Sequence, residues 1–104
     1  MYDIAIIGGG PAGLAAGLYG ARGGMDTVLL ENMLVGGQIT KTTQVDNYPG
    51  FPDGIDGFAI GTNMQKQAER FGLEIKRTGV DSVELEGEIK RLYCGREVIE
   101  AKAV

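Results

Sequence analysis

Histidine and tryptophan are absent from this chain of 104 residues, and cysteine occurs once, at Cys94. Without histidine there can be no Ser-His-Asp or Cys-His catalysis and no imidazole metal site. A single thiol excludes an internal disulfide and any Cys-x-x-Cys pair within the chain. No segment approaches the roughly 18–20 apolar residues of a membrane span. Met1-Tyr2-Asp3 lacks the basic start of a secretory signal, so a cytoplasmic location is expected and a membrane partner is not. Ten basic residues face fourteen acidic ones, for a net charge of −4, and no Lys/Arg cluster stands out. Nucleic acid is therefore not an expected partner either.

What the chain has in excess is glycine, 18 of 104 residues. Clustered glycine marks tight turns or close approach of backbone to another group. The first cluster, Gly8-Gly9-Gly10-Pro11-Ala12-Gly13, follows the short apolar run Ile4–Ile7. That run reads as a strand of a parallel sheet, buried on both faces. Leu14–Arg22 reads as a helix whose small residues Gly13, Gly17 and Gly20 or Ala21 leave one face nearly bare, fit to sit close on a sheet. Gly23-Gly24 ends it. Thr27–Leu30 is a second apolar strand, closed by Glu31, completing a βαβ unit.

In that setting Gly8-x-Gly10-x-x-Gly13 is a dinucleotide-binding pattern. Gly8 permits the turn, Gly10 lets a pyrophosphate reach backbone N–H groups, and Gly13 lets helix and strand pack closely. The helix N-terminus supplies partial positive charge, so a diphosphate can bind an acidic chain without Lys or Arg. Pro11 fits the first turn, where its missing N–H is not needed. Glu31, 18 positions after Gly13, is placed to accept hydrogen bonds from ribose hydroxyls and to repel a 2′-phosphate. NAD and FAD share this half, so the unit alone does not separate them.

Leu34–Pro52 is too polar and broken for a core element and long for a connector. Gly36, Gly37 and Gln38 offer N–H groups and an amide, Thr40, Thr42 and Thr43 offer hydroxyls, and Asn47 offers a further amide. An isoalloxazine edge needs partners of this kind. The residues alone leave flavin contact and hydrated linker equally open. Pro52-Asp53-Gly54 is a turn signal, and Asp56 is a candidate N-cap for a helix to Phe71 with Phe58, Gly61, Met64, Ala68 and Phe71 as its buried stripe. Gly72 is its C-cap. Strands are then expected over Leu73–Lys76, Val80–Leu85, Ile89–Tyr93 and Val98–Ala103, with turns at Glu86-Gly87 and Gly95-Arg96, as an antiparallel unit feeding back to the main sheet. Tyr19 and Tyr93 are expected in packing, Cys94 in a structural role, and Asp53, Glu84, Glu86 and Glu88 at turns and solvated faces. The strand pattern stops at Val104, so a partial domain is expected.

"DIAIIGGGPAGLAAGLYGARGG", Glu31, "GGQITKTTQVDNYPGFPDGIDG" and "MQKQAERFG", in that order, resemble the start of the low-molecular-weight thioredoxin reductases. The Gly-Gly-Gln and Asn-Tyr-Pro-Gly-Phe-Pro parts are the specific ones. The flavoprotein subunit of alkyl hydroperoxide reductase and ferredoxin–NADP reductases of the same fold are similar alternatives. A nucleotide-binding module without chemistry, for NAD or ADP, and a fragment that binds nothing are rivals of other classes. The resemblance implies an α/β, Rossmann-like FAD-binding βαβ unit with a parallel sheet and an antiparallel β extension. Residues 1–104 would be the N-terminal part of that FAD-binding domain, with the NADPH domain and its Cys-x-x-Cys absent. It places Gly8, Gly10, Pro11, Ala12 and Gly13 along the FAD pyrophosphate and Glu31 and Asn32 at the adenosine ribose. Gly36, Gly37 and Gln38 would lie beside the flavin chain, Thr43 and Asn47 near the isoalloxazine, and Val80 at the adenine. No residue takes a catalytic or metal-binding role. The parent would pass electrons from NADPH through FAD and a redox disulfide to thioredoxin or a similar protein disulfide, as a homodimer. The chain alone is expected to be inactive and to hold FAD weakly or not at all.

Overall fold

The computed structural model describes every residue, Met1–Val104. The elements are β1 (Tyr2–Ile7), α1 (Pro11–Arg22), β2 (Thr27–Leu30), a 3-10 turn (Gly37–Lys41), α2 (Gly57–Arg70), β3 (Glu74–Lys76), β4 (Ser82–Glu84), β5 (Lys90–Cys94) and β6 (Glu97–Ala103). They form one mixed sheet in the order β3-β2-β1-β6-β5-β4. β1 is parallel to β2 and to β6, β2 is parallel to β3, and β4–β5–β6 is an antiparallel meander.

The α/β, Rossmann-like reading and the return of the tail to the main sheet are both met: Ala101 and Ala103 pair with Tyr2 and Ile4. The tail is nevertheless not wholly antiparallel. β3 lies at the parallel edge, because a strand reached through a helical crossover comes back in the same direction as the strand before it. β4 is also shorter than Val80–Leu85, since Val80 leaves the ladder to pack against the core.

Two apolar layers hold the sheet. On the helix side Leu14 and Ala21 of α1 and Ala68 of α2 meet Leu29, Val35 and Leu73. On the other side Leu92, Cys94 and Ile99 of the meander cover Ala5, Val28 and Leu30. β2 is therefore buried at all four residues, whereas β1 is covered unevenly and ends on Ile7, half exposed. Each fully buried Leu contributes about 1.5–3 kcal/mol. The 3.2 Å Lys76–Glu97 ion pair joins β3 to the start of β6, so the meander must curl over the sheet face; exposed as it is, the pair adds little energy. Cys94 is buried in this layer, which pushes its thiol pKa up and fits the structural role expected of it.

The bare face of α1 does what its small residues suggest. A β-carbon on Gly17 would stand 2.6 Å from the Leu73 Cδ2 methyl, and one on Gly20 would stand 2.8 Å from Thr27 Oγ1. α2 differs from its expected stripe. Asp56 caps it, its Oδ2 accepting from the Ala59 N–H at 3.0 Å. That cap sets a register in which Gly57, Ile60, Gly61 and Ala68 face inward. Phe58 is then turned out to solvent, and Phe71 lies at the exposed C-terminus under the Arg70 guanidinium, 4.7 Å from its ring. Tyr19 is likewise not packed; it is 70% exposed.

Gly13 is the tightest point of α1, since a β-carbon there would collide with the Gly8 carbonyl oxygen. Backbone on backbone leaves no rotamer to relieve the clash. Gly13→Ala should cost at least about 2 kcal/mol of unfolding free energy in urea titration. A loss below about 0.5 kcal/mol would refute this packing.

Candidate functional site

The turn between β1 and α1 is built around Gly8, whose φ of +103° only glycine adopts readily. Gly10 is the N-cap of α1, and no side chain caps it. The first-turn N–H groups of the helix therefore point outward unpaired by a capping residue. A β-carbon on Gly10 would meet nothing within 4 Å, so the space in front of that helix end is open. This is the open approach expected for a pyrophosphate, with Pro11 and Ala12 following on the first turn.

Gly9 joins three segments. Its N–H donates to Glu31 Oε1 at 2.8 Å, and its carbonyl accepts the Gly36 N–H at 2.7 Å. Glu31 Oε2 in turn accepts the Met33 N–H at 2.9 Å. One carboxylate at the end of β2 thus ties the first turn to the loop after it. The N–H groups of Met33, then Gly9, then Asn32 hold its pKa below the ordinary carboxylate range.

The second glycine pair lies on the first. Gly37 has φ +70°, and a β-carbon on it would stand 2.9 Å from Gly10 Cα. Gly36 is backed by α2, with its own β-carbon position 3.4 Å from Gly61 Cα. Gly57 closes the back, its N–H donating to the Thr42 carbonyl at 3.0 Å. Glu31, Gly37, Gln38 and Thr40 line a cleft of about 200 Å³. Thr40 is not free to serve a ligand as a donor, because its hydroxyl donates to the Gly37 carbonyl at 2.7 Å.

Eleven of the thirteen expected site residues fall into two connected groups. Gly8, Gly10, Pro11, Ala12, Gly13, Glu31, Gly36, Gly37 and Gln38 surround the first turn. Asn32 and Val80 form the other, joined through Gly79, whose β-carbon position is 3.2 Å from Asn32 Cγ. Thr43 and Asn47 lie outside both groups, exposed along the next loop. That loop is ordered by its own ends: Val45 and Ile55 exchange two hydrogen bonds of 2.7 and 3.0 Å. Sequence reasoning missed Gly9, a variable position of the motif, and Gly57. The signal for Gly9 was present in the run of three glycines; Gly57 had none beyond its place after the N-cap. No group of three or more Cys, Asp or Glu side chains could hold a metal ion, and no helix is long and apolar enough to cross a membrane.

A sequence profile of the pyridine nucleotide-disulphide oxidoreductases matches residues 2–104. The chain belongs to the pyridine nucleotide-disulphide oxidoreductase family. It is 49% identical over 104 residues to a thioredoxin reductase of Peptoclostridium litorale and 41% identical over 104 residues to one of Mycolicibacterium smegmatis. Both alignments cover all of this chain and 33% of the relative. A Lactococcus lactis thioredoxin reductase structure superimposes with a TM-score of 0.92 at 36% identity, covering 98% of this chain and 33% of that one. This member of the family thus spans about a third of the length of the relatives it matches.

Glu31 gives the site a pH signature. Its pKa is lower folded than unfolded, so its contribution is complete above the ordinary Glu value of about 4.3 and is lost as pH falls through the folded value. Glu31→Gln should lower stability at pH 7 by about 1–3 kcal/mol and flatten the acid limb of a stability–pH curve. An unchanged acid limb would contradict the two-sided carboxylate contact.

Proposed function

We propose that this chain forms part of the FAD site of an NADPH-dependent disulfide reductase of the thioredoxin reductase kind. The observation that carries this is the seating of the Gly36-Gly37 turn on Gly9-Gly10. A dinucleotide crossing the α1 N-terminus would pass directly from the first glycine turn to a second one. The cradle fits the cofactor: an open helix end for the pyrophosphate, and a carboxylate with lone pairs left for ribose hydroxyls. Asn32 and Val80 would border the adenosine, Gly36, Gly37 and Gln38 the flavin chain, and Thr43 and Asn47 the isoalloxazine.

FAD, when bound, carries electrons between NADPH and a protein disulfide; this chain's residues bind and orient it. The names of the relatives make thioredoxin the proposed acceptor for the whole protein. Residues 1–104 would be the N-terminal portion of its FAD-binding domain. The acidic residue at the ribose position argues against a 2′-phosphate there, so NADPH would bind elsewhere in the whole protein. The homodimeric state and the cytoplasmic location implied by the resemblance are part of the same proposal.

Titration of the ¹⁵N-labelled chain with FAD should move the amides of Gly10, Gly13, Asn32 and Gly37, and also those of Thr43 and Asn47. ADP and NAD should move the first set alone. Silence at Gly10 and Gly13 with all three ligands at millimolar concentration would sink nucleotide binding by residues 1–104 on their own, and NAD reaching Thr43 and Asn47 where FAD does not would reverse the cofactor. Gly10→Ala fills the open approach without touching the fold. It should weaken FAD and ADP about tenfold while changing unfolding free energy by less than about 1 kcal/mol.

A further inference from the structure

We infer that Tyr48 and Phe51 are positioning residues that hold Asn47 in place for the isoalloxazine. This rests on the proposed flavin contact of Asn47, and it adds the part of the structure that makes such a contact reproducible. Asn47 sits one residue from the aromatic pair on a loop whose two feet, Val45 and Ile55, are joined by reciprocal backbone hydrogen bonds of 2.7 and 3.0 Å. At one foot Val45 is buried; beside it Gln44 Nε2 donates to Asp46 Oδ1 at 2.7 Å, and Gly54 packs against both of those side chains. Within the feet the Gly54 N–H donates to the Phe51 carbonyl at 3.1 Å, which holds the Phe51–Gly54 side, while Asn47–Gly50 has no backbone hydrogen bond of its own.

The aromatic pair supplies the second restraint. The rings of Tyr48 and Phe51 stand 6.3 Å apart at 43°, and both line the apolar cleft of about 260 Å³ whose floor is Leu14 and Leu18 of α1 and Ile60 and Met64 of α2. Leu14 and Ile60 are themselves fully buried, and Leu14 lies in the helix turn just after Gly13. The loop tip therefore faces, across this cleft, the helix that begins at the first glycine turn, and the ring pair itself ties the two sides of the tip together. The two chain neighbours of Asn47 carry the restraints, Asp46 through Gln44 and Tyr48 through Phe51, while Asn47 itself is exposed. An amide that must meet a flavin edge at hydrogen-bond distance gains from being fixed in advance, since ordering a loop at the moment of binding costs affinity.

The test uses the labelled chain without ligand and with FAD. In the wild type the backbone order parameter of Asn47 should match that of the helices, near about 0.85, and in Tyr48→Ala/Phe51→Ala it should drop below about 0.6. The FAD-induced shift at Asn47 should shrink at least threefold in the double variant, while the shifts at Gly10 and Gly13 persist; Tyr48→Phe should behave as the wild type. An unchanged order parameter and an unchanged Asn47 shift in the double variant would overturn the inference and leave the FAD reading standing. Absence of any Asn47 shift in the wild type, with Gly10 and Gly13 responding, would remove the flavin contact of Asn47 and this inference with it. Should the double variant fail to fold, Tyr48→Leu, which keeps apolar bulk in the cleft but loses the ring pair, carries the same readouts.

Discussion

The site depends on backbone lying directly against backbone at Gly9 and Gly10. Gly13 presses on Gly8 from the helix, Gly36 hydrogen-bonds to Gly9, and Gly37 covers Gly10. A β-carbon on Gly13 or on Gly37 would strike the backbone of the first turn, whereas Gly8 and Gly10 face open space on their own β-carbon side. Glycine in such positions costs conformational entropy on folding, so the arrangement persists only because surrounding layers over-determine it. Those layers are the buried β2 strand beneath, α1 beside, and α2 behind, whose Gly57 and Gly61 extend the same close packing one layer further.

This constraint explains why the fold is asymmetric. Elements on the helix side approach at glycine distance and carry the candidate site. The meander on the opposite side packs through ordinary Leu, Ile and Cys side chains and carries none of the site residues except Val80, at its entrance. The family match over residues 2–104 and the superposition over 98% of the chain take in both sides.

Much of this was legible in the residues. The βαβ unit, the motif glycines, the Asp56 cap and the Gly95-Arg96 turn depend on local chemistry, and local chemistry is written in adjacent positions. Two kinds of feature were not. Phe58 and Phe71 fit a helical stripe by spacing, but a stripe has no absolute phase until the neighbour is known, and here the turn at Ile39–Thr42 demanded Gly57. Likewise the loop from Leu34 to Pro52 carried no periodicity, yet it is ordered by a 3-10 turn and by a bridge between residues ten apart, Val45 and Ile55. Nothing in a residue's identity announces a partner that far along the chain.

Glu31 draws the two levels together. In the proposed site it is the carboxylate that a ribose would meet, yet without any ligand both of its oxygens already accept backbone N–H groups. A carboxylate has about four lone-pair sites, so these backbone contacts do not exhaust its accepting capacity. Glutamine could not do both tasks, because one of its terminal atoms would present hydrogens to a backbone donor. The same group can therefore keep the first turn and the following loop in register before a nucleotide arrives and still receive the nucleotide's hydroxyls afterwards. Pre-formed in this way, the site has less ordering left to do at the moment of binding.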